Sequence, residues 1–224
     1  MNIHLVELVA ANIAFVGSHF AMSHPLRAPL VGMIGEKGFS VLYSLVSFAA
    51  LFWIVSAYGD APPGDLPGSG LGGWLIASLM TIPALVLFTG SLARNPALPV
   101  PGASEAARRT PQGVFLVTRH PMMWSFAIWA ASHVILWWSW RSVLTALFMG
   151  LLALVGAHLQ DRKKRALMGE AWAAWEAHTS FWPRWSKLFS VGLLWWALGL
   201  MLWVLATYAH QTLGGVPAGI WRWF

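Results

Sequence analysis

Apolar residues in this chain run in long, nearly unbroken stretches, without the strict alternation of a half-buried strand or the narrow stripe of a soluble amphipathic helix. Six stretches approach or reach the roughly 20 residues that cross a bilayer core: about 5–22, 38–58, 71–90, 121–138, 141–159 and 188–209. The pattern predicts an all-α integral membrane protein, six transmembrane helices in one bundle forming a single domain over 1–224. The first stretch carries no basic leader and is followed by Pro25 and Arg27 instead of a small-residue cleavage site, so it is expected to remain attached. The segment Ala61-Pro62-Pro63-Gly64-Asp65-Leu66-Pro67-Gly68 is a loop by composition. Between the fifth and sixth stretches, Leu167, Met168, Ala171, Trp172 and Trp175 share a helical face, which predicts an interfacial helix over about 164–178.

Composition strengthens this picture. Apolar residues make up 58% of the chain and charged ones only 10%, too few to clothe a water-soluble globule. Trp, at 16 residues, suits the headgroup boundary. The absence of Cys removes disulfides, iron–sulfur clusters, thiolate-ligated haem and covalently attached c-type haem. Lys and Arg exceed Asp and Glu by 14 to 8, and their distribution gives a topology. Arg27, Lys37, Arg94, Arg108, Arg109, Arg119, Arg162, Lys163, Lys164, Arg165, Arg184 and Lys187 all fall in the connections after the first, third and fifth stretches. Only Arg141 and Arg222 fall on the other side. By the positive-inside rule the basic connections are cytoplasmic and both termini periplasmic, as in a multi-pass protein of a bacterial inner membrane. The partner for this positive excess is the lipid bilayer and its anionic headgroups, with no call on nucleic acid.

Histidines hold the candidate chemistry, because an ionisable group inside a bilayer is costly and therefore suspect. His19 lies about a turn from the inner end of the first stretch, in Gly17-Ser18-His19, where small neighbours allow a helix or a flat ligand to approach. His120 opens the fourth stretch in Arg119-His120-Pro121, His133 is the deepest ionisable group of the chain, and His158 ends the fifth stretch just before Asp161-Arg162. His4 and His210 fall at outer ends of stretches, His24 follows the first stretch, and His178 lies in a basic connection; each is readily explained by proximity to water. Several imidazoles in an apolar bundle without a matching set of carboxylates suit haem iron, since porphyrin supplies four nitrogens and the protein needs one or two axial ligands. No stretch offers the Glu-x-x-His pairs of a di-iron site. Arg27, Arg119 and Arg162 are candidate partners for haem propionates, and Asp161 is expected to pair with a cation such as Arg119 or Arg162. By simple counting, His120 and His158 match the depth of His19 better than His133 does.

Several strings taken together are similar to the NnrU family: Gly17-Ser18-His19, Pro25-Leu26-Arg27, Leu42-Tyr43-Ser44-Leu45-Val46-Ser47, Thr118-Arg119-His120-Pro121, Ala131-Ser132-His133 and Asp161-Arg162-Lys163. The likeness covers about residues 15–52 and 116–183. That family is associated with nitrite and nitric oxide reduction in denitrifying bacteria and is related to the 15-cis-zeta-carotene isomerase of plants and cyanobacteria. The resemblance implies haem b held by His19 and His133 as iron ligands, with His120 and His158 as catalytic neighbours. It also implies a redox or isomerase-like activity, on a lipophilic small molecule or in company with nitrogen-oxide reductase components.

Membrane methyltransferases that use S-adenosylmethionine share the Arg-His-Pro motif, and Gly169-Glu170, Trp172, Trp175 and Pro183 echo their downstream stretch. Where such enzymes place paired glutamates, this chain has Asp161 followed by Arg162-Lys163-Lys164-Arg165, leaving Glu170 or Glu176 as substitutes for binding a cofactor ribose. A third reading is a non-catalytic assembly factor for nitrogen-oxide reductases.

Overall fold

The computed structural model describes residues 2–99 and 102–224, and among these it contains helices and no strands. Five helices are long and apolar enough to cross a membrane: α1 (Ile3–Ser23), α2 (Arg27–Asp60), α3 (Gly70–Ser91), α6 (Trp140–Met168) and α8 (Leu193–Gly214). A shorter apolar helix, α5 (Pro121–Leu136), is the fourth of the expected six. Two further short helices, α4 (Ala103–Ala107) and α7 (Glu170–His178), belong to the basic connections. The chain is therefore an all-α, multi-pass membrane bundle.

Helix boundaries follow local chemistry. Asn2 caps α1 by accepting the His4 N–H at 2.9 Å. α2 begins earlier than expected, at Arg27, because Gly35 at φ 72° lets a short basic-end helix turn into the span, and the Arg27–Glu36 ion pair at 2.9 Å bridges that bend. α5 starts on Pro121, at a position where the missing N–H costs nothing, and stops at Trp137, whose φ of 47° is left-handed. At about 1.5 Å per residue, the 29-residue α6 exceeds a core of roughly 30 Å, so its final turns project beyond it. The interfacial segment anticipated at 164–178 is consequently two pieces: α6 continues through Met168, Gly169 breaks it at φ 52°, and α7 follows.

Helix packing places the core. α3 is the centre of one half of the bundle, packed against α5 and α8, while α1 packs against α2 and α6; α5 joins the halves through α6. Gly199 of α8 permits a close approach to α3, since a Cβ there would lie 2.7 Å from Val86 Cα. Val86, Leu87, Val114, Val117, Trp172 and Trp175 form the main buried cluster, toward the end that carries the basic residues. Outward faces show large apolar side chains, among them Phe48, Phe52, Leu79 and Leu193, as a lipid-facing surface requires.

Candidate functional site

α3, α5 and α8 line a partly open cavity of about 390 Å³, with Met149, Ala218 and Gly219 completing its lining. Its walls are mostly apolar and aromatic, with Trp74, Phe88, Phe126, Trp129 and Trp203, and its polar points are His133, His210 and a few hydroxyls including Thr81 and Ser132. This size and character are those of a small-molecule site, which typically spans about 300–1,000 Å³.

Both imidazoles are oriented by backbone carbonyls. His133 stands one turn before the end of α5, stacks on Trp129 with ring centroids 4.3 Å apart, and donates from Nδ1 to the Trp129 carbonyl at 2.9 Å. Ser132 Oγ lies 3.2 Å from the same nitrogen. His210, one turn before the end of α8, donates from Nδ1 to the Val216 carbonyl at 2.9 Å. A carbonyl can only accept, so each Nδ1 carries the proton and each Nε2 is left with a lone pair. Neither Nε2 has a hydrogen-bond partner among the described residues. The two ring centroids are 6.4 Å apart. Beside this end of the cavity, the Arg222 guanidinium lies over the Trp74 ring at 4.1 Å.

The opposite end of α5 carries a different arrangement. Arg119 grips Asp161 with Nε at 3.0 Å from both carboxylate oxygens and Nη2 at 2.6 Å from Oδ2. His120 Nε2 donates to Asp161 Oδ1 at 2.7 Å, with the imidazole fully buried between Phe181 and Trp172. Glu176 of α7 extends the network, 3.4 Å from Arg119 and 2.7 Å from Arg165. Thr118 and Trp124 donate to the Phe181 carbonyl at 2.8 Å each, and Arg119 N–H donates to the Ser180 carbonyl at 2.8 Å. The Arg-His-Pro segment is thus a clamp that fastens α5, α6, α7 and the 180–184 connection together. His120 Nδ1 is buried without a hydrogen-bond partner among the described residues.

Comparison with known proteins settles the family: the NnrU protein family model matches residues 7–218, nearly the whole chain. The chain belongs to the NnrU family. No curated protein and no solved structure matches it.

Placed on this NnrU-family fold, the residues singled out from the sequence separate into distinct neighbourhoods. Arg119, His120 and Asp161 come together, and of the two cations considered for Asp161 it is Arg119 that binds it. Arg162 is exposed and makes no ion pair among the described residues, and Arg27 is engaged by Glu36. His158 is exposed on α6 without a side-chain hydrogen bond among the described residues. His19 faces Tyr43 of α2, ring centroids 5.4 Å apart, and donates from Nδ1 to the Phe15 carbonyl at 2.8 Å. His19 lies one turn from the basic end of α1, whereas His133 lies more than three turns beyond Pro121, roughly 18 Å along α5 at about 1.5 Å per residue. No ring contact or hydrogen bond joins them among the described residues.

His210 and Arg222 are the site residues that sequence reasoning passed over. A signal for His210 existed: Trp203, Thr207 and His210 recur at helical spacing, placing a polar stripe on one face of an otherwise apolar span. Glu176 was considered for a cofactor ribose, and the structure commits it to Arg165 and Arg119. No group of three or more His, Asp or Glu side chains is gathered for a metal ion among the described residues. An axial haem site does not require one.

Proposed function

We propose that this NnrU-family protein binds haem b inside the bundle, where His133 would hold the iron, and serves nitrogen-oxide respiration in a bacterial inner membrane. The observation that carries this reading is the His133 imidazole, fixed by the Trp129 carbonyl so that Nε2 meets an aromatic-walled cavity with a free lone pair. A metal-ligating histidine is generally held in this way, its other nitrogen donating to a carbonyl or carboxylate that sets tautomer and ring orientation. The donor set fits the group: one imidazole nitrogen, apolar walls for a porphyrin face, and a cation, Arg222, beside Trp74 for an anionic substituent. When bound, haem supplies an iron centre capable of one-electron chemistry and of binding a small gas or an unsaturated lipid.

The chain's own residues do the rest. Trp129 and Ser132 orient His133, α3 and α8 supply apolar walls, and Trp203 is held in place by donating to Thr81 Oγ1 at 3.0 Å. The Arg119–His120–Asp161 clamp fixes the start of α5. His120, His158, Arg27, Arg119, Asp161 and Arg162 contribute to the basic end, which this reading places in the cytoplasm. The His133 end of the cavity then lies in the periplasmic half of the membrane.

The test is an absorption spectrum of the detergent-purified protein, as isolated and after titration with hemin. A Soret band with about one haem per chain is expected for the parent, with loss of most of it in His133→Ala and retention in His158→Ala. A parent that takes up no haem overturns the reading.

A further inference from the structure

We infer that His210 is the second histidine that would hold the iron at the same site, together with His133. The inference rests on the haem reading above and extends it to a residue on α8 that no motif marked. Three observations carry it. His210 lines the same cavity as His133. Its Nδ1 donates to the Val216 carbonyl at 2.9 Å, just as His133 Nδ1 donates to the Trp129 carbonyl at 2.9 Å, so both rings are in the tautomer that offers Nε2. The ring centroids are 6.4 Å apart, a separation that accommodates two metal–nitrogen bonds of about 2.0–2.1 Å each plus the two ring radii.

Depth agrees as well. His133 and His210 each sit one turn before the end of their helix on the side away from the basic residues, whereas His19 sits one turn from the basic end of α1. α5 and α8 both pack on α3, which holds their separation, while α1 packs on α2 and α6. A ligand pair made by His133 and His210 needs no tilt across the bilayer, and a pair made by His133 and His19 does. His210 is also anchored from outside the span, since Val216 belongs to the segment after α8 that folds back through Gly219 against Thr207.

The experiment uses the full-length protein, reconstituted with hemin in detergent, and reads spin state by electron paramagnetic resonance and the Soret position. The parent is expected to be six-coordinate and low-spin. His210→Ala should keep at least half of the parent's haem content and become five-coordinate and high-spin, and added imidazole should restore the low-spin spectrum. His19→Ala should leave the spin state unchanged. If His210→Ala fails to accumulate, His210→Gln replaces it, since its amide can still donate to the Val216 carbonyl. A low-spin spectrum in the His210 variant, or conversion to high spin by His19→Ala, overturns the inference while leaving the haem reading intact. A parent without haem overturns that reading and the inference with it.

Discussion

Replacing Asp161 by Asn tests the clamp at the basic end. The Asp161 side chain is 4% exposed and Arg119 is 11% exposed, so the pair is nearly dry. The carboxylate accepts from Arg119 at 3.0, 3.0 and 2.6 Å and from His120 at 2.7 Å. Asparagine preserves shape but removes the charge and turns one acceptor into a donor that faces N–H groups. Stranding one member of a buried ion pair costs about 3–5 kcal/mol. Arg119 keeps Glu176 at 3.4 Å, so the loss should fall at the lower end, about 3 kcal/mol. Equilibrium unfolding of the parent and Asp161→Asn in mixed detergent micelles gives the difference directly. Arg119→Gln alone should cost a similar amount, and the double variant much less than the sum, because the two residues share one interaction. A change within about 0.5 kcal/mol for Asp161→Asn, the range of ordinary surface substitutions, would refute the argument and leave Asp161 a solvated anchor. Haem content supplies the control, since the clamp and His133 lie at opposite ends of α5. A folded Asp161→Asn protein should therefore take up as much hemin as the parent.

Two further outcomes follow from topology and packing. Single cysteines at Gly64 and Ser139 should label from the periplasm with an impermeant thiol reagent and one at Ala103 should not; labelling at Ala103 in intact cells would reverse the orientation. Gly199→Ala places a Cβ 2.7 Å from Val86 Cα, where only a shift of the α3 or α8 backbone relieves the clash, so it should cost about 1–3 kcal/mol in micelle unfolding. Because α3 and α8 wall the cavity, the same variant should weaken hemin binding, and wild-type stability would show that the two helices are free to separate.

The membrane bundle was legible in the sequence because a bilayer makes one demand that composition alone reveals: runs of apolar residues long enough to satisfy the backbone internally. α1, α3 and α8 lie close to where those runs predict them, and Pro121 marks the start of α5 for a purely local reason. The breaks at Gly35 and Gly169 were not legible in this way, since an interfacial helix was expected to run unbroken over about 164–178, and the charged run 161–165 disguised the continuation of α6 through Met168. The choice among partners was not legible. Asp161 was bound to find a cation, yet whether Arg119 or Arg162 took it depended on α5 and α6 packing side by side, with Arg162 left facing outward. Likewise the sequence identified His133 as a buried imidazole in need of a partner, but gave no means of selecting His210, which lies on a different helix and resembled any interfacial histidine. Their pairing arises because α5 and α8 both rest on α3, where Gly199 lets α8 approach closely and a cavity remains between them. Burial and helix length are properties of a segment, which its own residues encode; the spacing of two side chains from separate helices is a property of packing, which only the assembled bundle determines.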